Sequence, residues 1–141
     1  MSCIGFLSPQ QRRSLRASSR DDGTLSRFAS PDVTAGKLAR ARSMAASPEA
    51  GIRESAALGQ VTPVDVLAQL AADAEPSVRM CVARNPRTPP DTLRALAGDV
   101  VPGVRGWVAA NPGVPADVLD VLADDPDPVV RSVVTWARGW P

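Results

Sequence analysis

The sequence predicts an all-α fold built from about four short repeats that stack as a helical solenoid. The first observation is a spacing of 26 residues, which separates Thr62-Pro63 from Thr88-Pro89 and Thr88-Pro89 from Val114-Pro115. The second is that the same step relates many apolar and proline positions without a gap: Leu67, Leu93 and Leu119; Leu70, Leu96 and Leu122; Pro76, Pro102 and Pro128; Val82, Val108 and Val134. Internal similarity at such a period is typical of repeat proteins.

The first half of each repeat has the pattern of a short amphipathic helix. In the repeat that starts at residue 61, we expect Thr62 to cap this helix and Pro63 to be its first residue. Asp65 follows three residues after the expected cap, close to a capping box. One apolar face is then formed at the i, i+3, i+4 spacing by Val66, Leu67, Leu70 and Ala71.

The second half of each repeat predicts another helix, which opens with a proline such as Pro76. Helices of two to three turns are marginal alone, so neighbouring repeats must bury each other's apolar faces. We therefore expect successive first helices, over Pro63–Ala71 and Pro89–Ala97, to lie side by side.

The repeats divide the chain into two parts. Residues 1–29 are expected to be a basic N-terminal arm that is either disordered or holds one short helix. Residues 30–141 are expected to be the repeat domain, with a degenerate first repeat over 30–60 and clear repeats over 61–86, 87–112 and 113–141. The first repeat aligns with the others only if about three residues are inserted near Ser43; a terminal repeat is commonly atypical because one side has no neighbour.

The segment "NPRTPPDTLRALAGDVVPGVRGWVA", from Asn85 to Ala109, resembles the variant leucine-rich repeat (LRV) family. The resemblance is good over residues 62–134 and poor over 30–60. It implies a right-handed superhelix without a β-sheet, in which α-helices alternate with short α- or 3₁₀-helices, and a binding role. One described member carries a cysteine-ligated iron–sulfur module, whose cysteine cluster is missing here. HEAT-like repeats are the nearest alternative, with longer units.

Composition argues against several functions. The formal net charge of +1 does not fit a strongly basic nucleic-acid binder. The chain has no histidine, so it lacks Ser-His and Cys-His pairs and a common zinc ligand. The acidic cluster Asp124, Asp125 and Asp127 falls at the turn between two helices of a repeat. We expect a protein that is not an enzyme, with no catalytic residue, metal or cofactor.

The cysteine count and the hydropathy pattern predict a location. Cys3 and Cys81 are too few for a disulfide scaffold, and no apolar run reaches the length of a membrane span. We expect a soluble cytoplasmic protein without a membrane partner. Lys37 is the only lysine among 16 basic residues, a bias that indicates a GC-rich bacterial genome.

An arginine recurs at the 26-residue step, and this set is the first candidate binding site: Arg53, Arg79, Arg105 and Arg131. A row of guanidinium groups can bind phosphates or the carboxylates of a peptide. Aspartates recur on the same step six residues earlier, at Asp73, Asp99 and Asp125, so an internal arginine–aspartate ladder is the alternative. We favour the ladder.

Three tryptophans are further candidates. Trp107 occupies the position of Cys81 and Val133 on the apolar face, so we expect it in the core rather than at a binding surface. Trp136 and Trp140 follow the last clear repeat. They are expected to cap the open end of the core, with an exposed docking patch as the alternative.

In the part of the arm that precedes Asp21 there is no acidic residue and there are four arginines: Arg12, Arg13, Arg16 and Arg20. Such a segment suits an anionic partner, and solvated disorder is the alternative. Together these features predict a scaffold that binds an unidentified protein partner through the solenoid surface, as a monomer or weak oligomer. The alternative function is nucleic-acid binding through the arm and the arginine row.

Overall fold

The computed structural model describes residues 33–139, a stretch that contains α-helices and no β-strand. These helices are α1 Ala35–Ala45, α2 Ala50–Ala57, α3 Val64–Leu70, α4 Pro76–Arg84, α5 Pro90–Leu96, α6 Pro102–Ala110, α7 Ala116–Leu122 and α8 Pro128–Arg138. Each repeat contributes one pair, from α1 with α2 to α7 with α8. The predicted helical-repeat fold is confirmed, and the second helix of every described pair is an α-helix.

The N-terminal arm lies outside the described residues. Its arginines Arg12, Arg13, Arg16 and Arg20 therefore remain predictions, as does Trp140.

Proline fixes where the second helices begin. Pro76, Pro102 and Pro128 are the first residues of α4, α6 and α8, as the sequence predicts. A proline is suited to this position because the first amide of a helix has no intrahelical acceptor and the ring holds a helical φ angle.

The first helices begin one residue later than expected, and the predicted threonine caps are wrong. Pro63 itself is the N-cap of α3, in an extended conformation, and no side chain caps this helix. The hydroxyl of Thr62 instead donates to the carbonyl of Ala56 at 2.6 Å, and Thr88 does the same to Val82. Both threonines are buried, so each hydroxyl satisfies a carbonyl near the end of the preceding second helix.

Close packing between repeats runs through the second helices. α2 packs against α4, α4 against α6, and α6 against α8, and we call these four helices the second-helix layer. The first helices α3, α5 and α7 make fewer close backbone contacts with one another than the second helices do. Exposed side chains also connect first helices, such as Arg94 of α5, whose Nε lies 3.0 Å from an oxygen of Asp117.

The core lies between the two layers and runs through all described repeats. It is made of the apolar positions that recur at the 26-residue step, including Leu67, Leu70, Val78, Val82, Leu93, Leu96, Val104, Val108, Val118, Leu122, Val130 and Val134. No single pair of short helices could bury such a face alone, so the stack is the folding unit.

The first repeat differs from the others in its first helix. α1 spans 11 residues, whereas α3, α5 and α7 span 7 each. The extra length accounts for the insertion that the sequence alignment requires near Ser43. Thr34 caps α1 by accepting a hydrogen bond from the amide of Lys37 at 3.3 Å.

Candidate functional site

The repeated arginines form a ladder with the repeated aspartates. In its central rung, Nε of Arg79 donates to Oδ2 of Asp99 at 2.6 Å, and Nη2 donates to Oδ1 at 3.1 Å. Arg53 binds Asp73 and Arg105 binds Asp125 with the same two-pronged geometry. Each rung joins the second helix of one repeat to the inter-helix turn of the next, so the ladder ties the stack together.

Backbone groups complete every rung. The remaining Nη1 of Arg79 donates to the carbonyl of Asp73 at 2.8 Å, and the Oδ1 of Asp99 accepts the amide of Val101 at 2.9 Å. The Arg105–Asp125 rung is the most enclosed, since both residues are buried. A charge pair in such surroundings is stable only if its hydrogen bonds are satisfied, and these are.

The ladder lowers the pKa of its aspartates. The guanidinium of Arg53 holds the pKa of Asp73 below its ordinary value, and Arg105 does the same for the pKa of Asp125. Burial alone raises the pKa of Asp99, but hydrogen bonds from Arg79 and from the Val101 amide outweigh it, so this pKa is lowered too. All three aspartates are therefore carboxylates near neutral pH.

A second ladder, of buried asparagines, was not anticipated. The side-chain nitrogen of Asn111 donates to the carbonyls of Ala83 at 2.7 Å and Asn85 at 2.9 Å, both in the preceding repeat. Asn85 makes the equivalent bonds to Ala57 and Gly59. The available signal was the Asn-Pro pair at the 26-residue step, because a polar residue repeated beside a core position requires a recurring partner.

Trp107 contradicts the expectation that it fills the core. Its side chain is 42% exposed, and the guanidinium carbon of Arg84 lies 4.7 Å from its ring centroid. Position 107 lies at the edge of the buried face of its helix. At the equivalent positions of the neighbouring repeats, the smaller Cys81 is buried but Val133 is only half-buried. Val104 and Val108 fill the core of α6, so the larger indole is left at the surface.

Trp107 borders an apolar groove between α6 and α8. The groove has a volume of about 330 Å³ and is formed mainly by Gly103, Gly106, Trp107, Val129 and Val133. Gly106 leaves it open, since a Cβ added there would meet no atom within 4 Å. Val129 is 67% exposed on the facing helix, so both walls present apolar surface to solvent.

Trp136 lies on the same helix as Val133, near its C-terminal end, and is 55% exposed. It borders a second cavity of about 470 Å³, which Ala110, Val114 and Leu119 also line. The ring thus covers the end of the core only in part. Its exposure favours the docking alternative over the capping role.

Comparison with known families identifies this part of the chain. The model of the Leucine Rich Repeat Variant domain matches residues 81–137. This stretch is therefore similar to the Leucine Rich Repeat Variant family. The resemblance inferred from the sequence is confirmed, and the chain carries a scaffold-type repeat. No curated protein and no solved structure matches the chain.

The Leucine Rich Repeat Variant segment contains both walls of the groove. It starts within α4 and ends within α8, so it also holds the Arg105–Asp125 rung and Arg131. Of the predicted site residues, Arg53 and Arg79 lie in the repeats before α6, and the guanidinium group of each forms an ion pair with an aspartate. The groove residues Gly103, Gly106, Val129 and Val133 were missed; the available signal was a tryptophan among smaller residues at equivalent positions.

Chemically reactive groups are sparse within residues 33–139. Burial raises the pKa of the Cys81 thiol, which disfavours the reactive thiolate. Within residues 33–139, no three His, Cys, Asp or Glu side chains are grouped so that they could hold a metal ion. No helix in the same range has the length and apolar character needed to cross a bilayer.

Proposed function

We propose that this chain is a non-enzymatic scaffold that binds a segment of a partner protein in the groove between α6 and α8. The observation that carries the proposal is the exposed Trp107, which borders a groove that Gly103 and Gly106 also line. Tryptophan is enriched among the residues that dominate binding energy at protein interfaces.

The lining of the groove supports a polypeptide as its ligand. Its walls are mainly apolar side chains and glycine backbone, with Asp127 as the charged lining residue, and the apolar part matches an aliphatic or aromatic side chain of a partner. Arg84 stacks on Trp107 and makes no ion pair within residues 33–139. Its charge is therefore available for an acidic residue of the partner beside the apolar anchor.

The same proposal places the protein in the cytoplasm, as a monomer or weak oligomer. It assigns no reaction to the chain, because the features that support it are surfaces without an activated nucleophile or an acid–base pair.

Nucleic-acid binding through the arm and the arginine row remains the alternative. The geometry of the ladder argues against the arginine row as a phosphate-binding site. Arg53, Arg79 and Arg105 each use Nε and Nη2 on an aspartate of the next repeat, so they have no free fork for a phosphate. The alternative therefore rests on the arm, whose arginines lie outside the described residues.

A matched pair of valines tests the groove. Peptides are selected from a phage-displayed random library on the wild-type chain, and their affinities are then measured by fluorescence anisotropy. Val129→Asp should weaken the selected peptides by about tenfold or more, because it places a carboxylate in an apolar wall. Val121→Asp is the control, since Val121 is equally exposed, at 68%, but lies on α7 outside the groove.

Two results would contradict the proposal: equal losses in both variants, or selected peptides that bind Gly106→Trp as tightly as wild type. The second variant fills the groove from a helix position where the added side chain meets open space. Circular dichroism melting of all variants establishes that the comparison is between folded proteins.

A further inference from the structure

We infer that Arg131 forms a carboxylate-binding site at the C-terminal end of the ladder, which takes an aspartate side chain of a partner polypeptide. This site is separate from the groove and goes beyond the proposed function. Its ligand chemistry follows from the three rungs inside the protein.

The three internal rungs define what this position binds. In each, Nη1 of the arginine is fixed on backbone carbonyls of its own inter-helix turn, which points Nε and Nη2 toward the next repeat. An aspartate 20 residues further along the chain then accepts from both nitrogens. The ligand is the same in every case: a carboxylate whose Oδ1 also accepts a backbone amide two residues later.

Arg131 has the same anchor without the ligand. Its Nη1 donates to the carbonyls of Asp125 at 2.6 Å and Pro126 at 3.1 Å, so the guanidinium is held as in the other rungs. Among residues 33–139, no carboxylate forms an ion pair with it, and Arg131 is exposed.

The surroundings of Arg131 are polar where the internal repeats are apolar. Thr135 is exposed, while its equivalents Ala57, Ala83 and Ala109 are fully buried under the next repeat. The neighbouring Arg138 is paired with Asp120. Among the described residues, the immediate surroundings of Arg131 therefore include the exposed Thr135 and a guanidinium without an ion pair, which is complementary to an acidic ligand.

A second copy of this chain does not supply the aspartate by stacking head to tail. At the N-terminal end of the described stack, the residue equivalent to Asp73 is Ser47, whose side chain carries no charge. Within the described residues, the N-terminal repeat therefore presents no carboxylate at the equivalent point, so head-to-tail stacking of a second copy does not reproduce the rung.

The test uses the ligand that the protein already contains. A capped heptapeptide copies residues 98–104, in which Asp99 is the ligand of Arg79. It is titrated into the ¹⁵N-labelled chain while the Nε–H resonances of the arginines are followed by NMR. The resonance of Arg131 should shift saturably, with an apparent Kd at least about fivefold lower than that of the exposed Arg40, since a fixed fork binds a carboxylate in two-pronged fashion.

Three controls make the outcome decisive. The same peptide with Asp99→Asn should leave Arg131 unshifted, and Arg105, whose fork is occupied, should not respond to either peptide. The variant Arg131→Lys should lose binding although it keeps the charge. The inference is overturned if Arg131 responds no more than Arg40, if both peptides act alike, or if inorganic phosphate shifts Arg131 and the aspartate peptide does not.

Discussion

Two sets of arginine–aspartate pairs connect the repeats, and they differ in burial and in regularity. The inner ladder consists of the pairs Arg53–Asp73, Arg79–Asp99 and Arg105–Asp125, and the side chain of each of these aspartates is almost fully buried. Every described repeat has an arginine at this position. The outer pairs join first helices at a step of 23 residues, as Arg42 with Asp65 and Arg94 with Asp117, and their side chains are about half exposed. The equivalents of Arg42 and Arg94 in the other repeats are Ala68 and Asp120, so the outer series is broken.

Burial explains why one series is uniform and the other is not. Removing one partner of a buried ion pair leaves an uncompensated charge, whereas an exposed partner is rehydrated at little cost. The inner arginine also satisfies carbonyls of its own turn, so it holds local backbone and the neighbouring repeat at once. Few other side chains could bind both the local carbonyls and the aspartate of the next repeat from this position.

The strongest test of this comparison removes one aspartate from each series. Asp99→Ala should lower the free energy of unfolding by about 3 kcal/mol, because it leaves the guanidinium of Arg79 buried without its carboxylate. Asp117→Ala should leave it unchanged within the error of urea unfolding, since its side chain is 63% exposed. Similar losses in both variants would show that burial does not separate the two series.

Acid should affect the inner ladder as a group. The pKa values of Asp73, Asp99 and Asp125 are lowered in the folded protein, so their stabilisation is present above the unfolded pKa of about 3.9 and is lost as pH falls toward the folded values. Between pH 4 and pH 3 we expect the three together to lose about 2 kcal/mol.

Urea unfolding as a function of pH measures this loss. Asp99→Asn should flatten the curve in the acid range, because one of the three titrating groups is gone. A stability that stays constant or rises from pH 4 to pH 3 is incompatible with the lowered pKa values.

The smallest expected change in stability comes from adding an arginine where the outer series of ion pairs is interrupted. Ala68 and Asp91 stand at the same 23-residue step as the two existing pairs, so Ala68→Arg should form the missing exposed bridge. The gain should be about 0.5 kcal/mol and should disappear in high salt. Ala68→Gln, measured in parallel by thermal melting, separates the charge from the longer side chain; an equal gain with glutamine would rule out an ion pair.

The sequence predicted the helices well because proline and the apolar spacing act locally. The second helices start at Pro76, Pro102 and Pro128, as expected from the restricted φ angle of proline. The threonine caps were wrong for a reason that is not local. Thr62 has a competing acceptor in the carbonyl of Ala56, which only the packed repeat brings within reach.

The candidate site was harder to predict. A tryptophan among Cys81 and Val133 at equivalent positions indicates an apolar environment, but it does not show that the position lies at the edge of the buried face. Whether the indole is covered depends on the space between α6 and α8, which Gly103 and Gly106 line on one side and Val129 on the other.

The sequence by itself determined the repeat length, the helical class, the order of the elements and the two residue types of the inner ladder, because each of these is encoded in residues that recur at one step. Only the tertiary structure decided which layer packs closely, which way Trp107 faces and which arginine keeps an open fork. These depend on distances between residues of different repeats, and identical spacing along the chain does not specify how far apart two stacked helices lie.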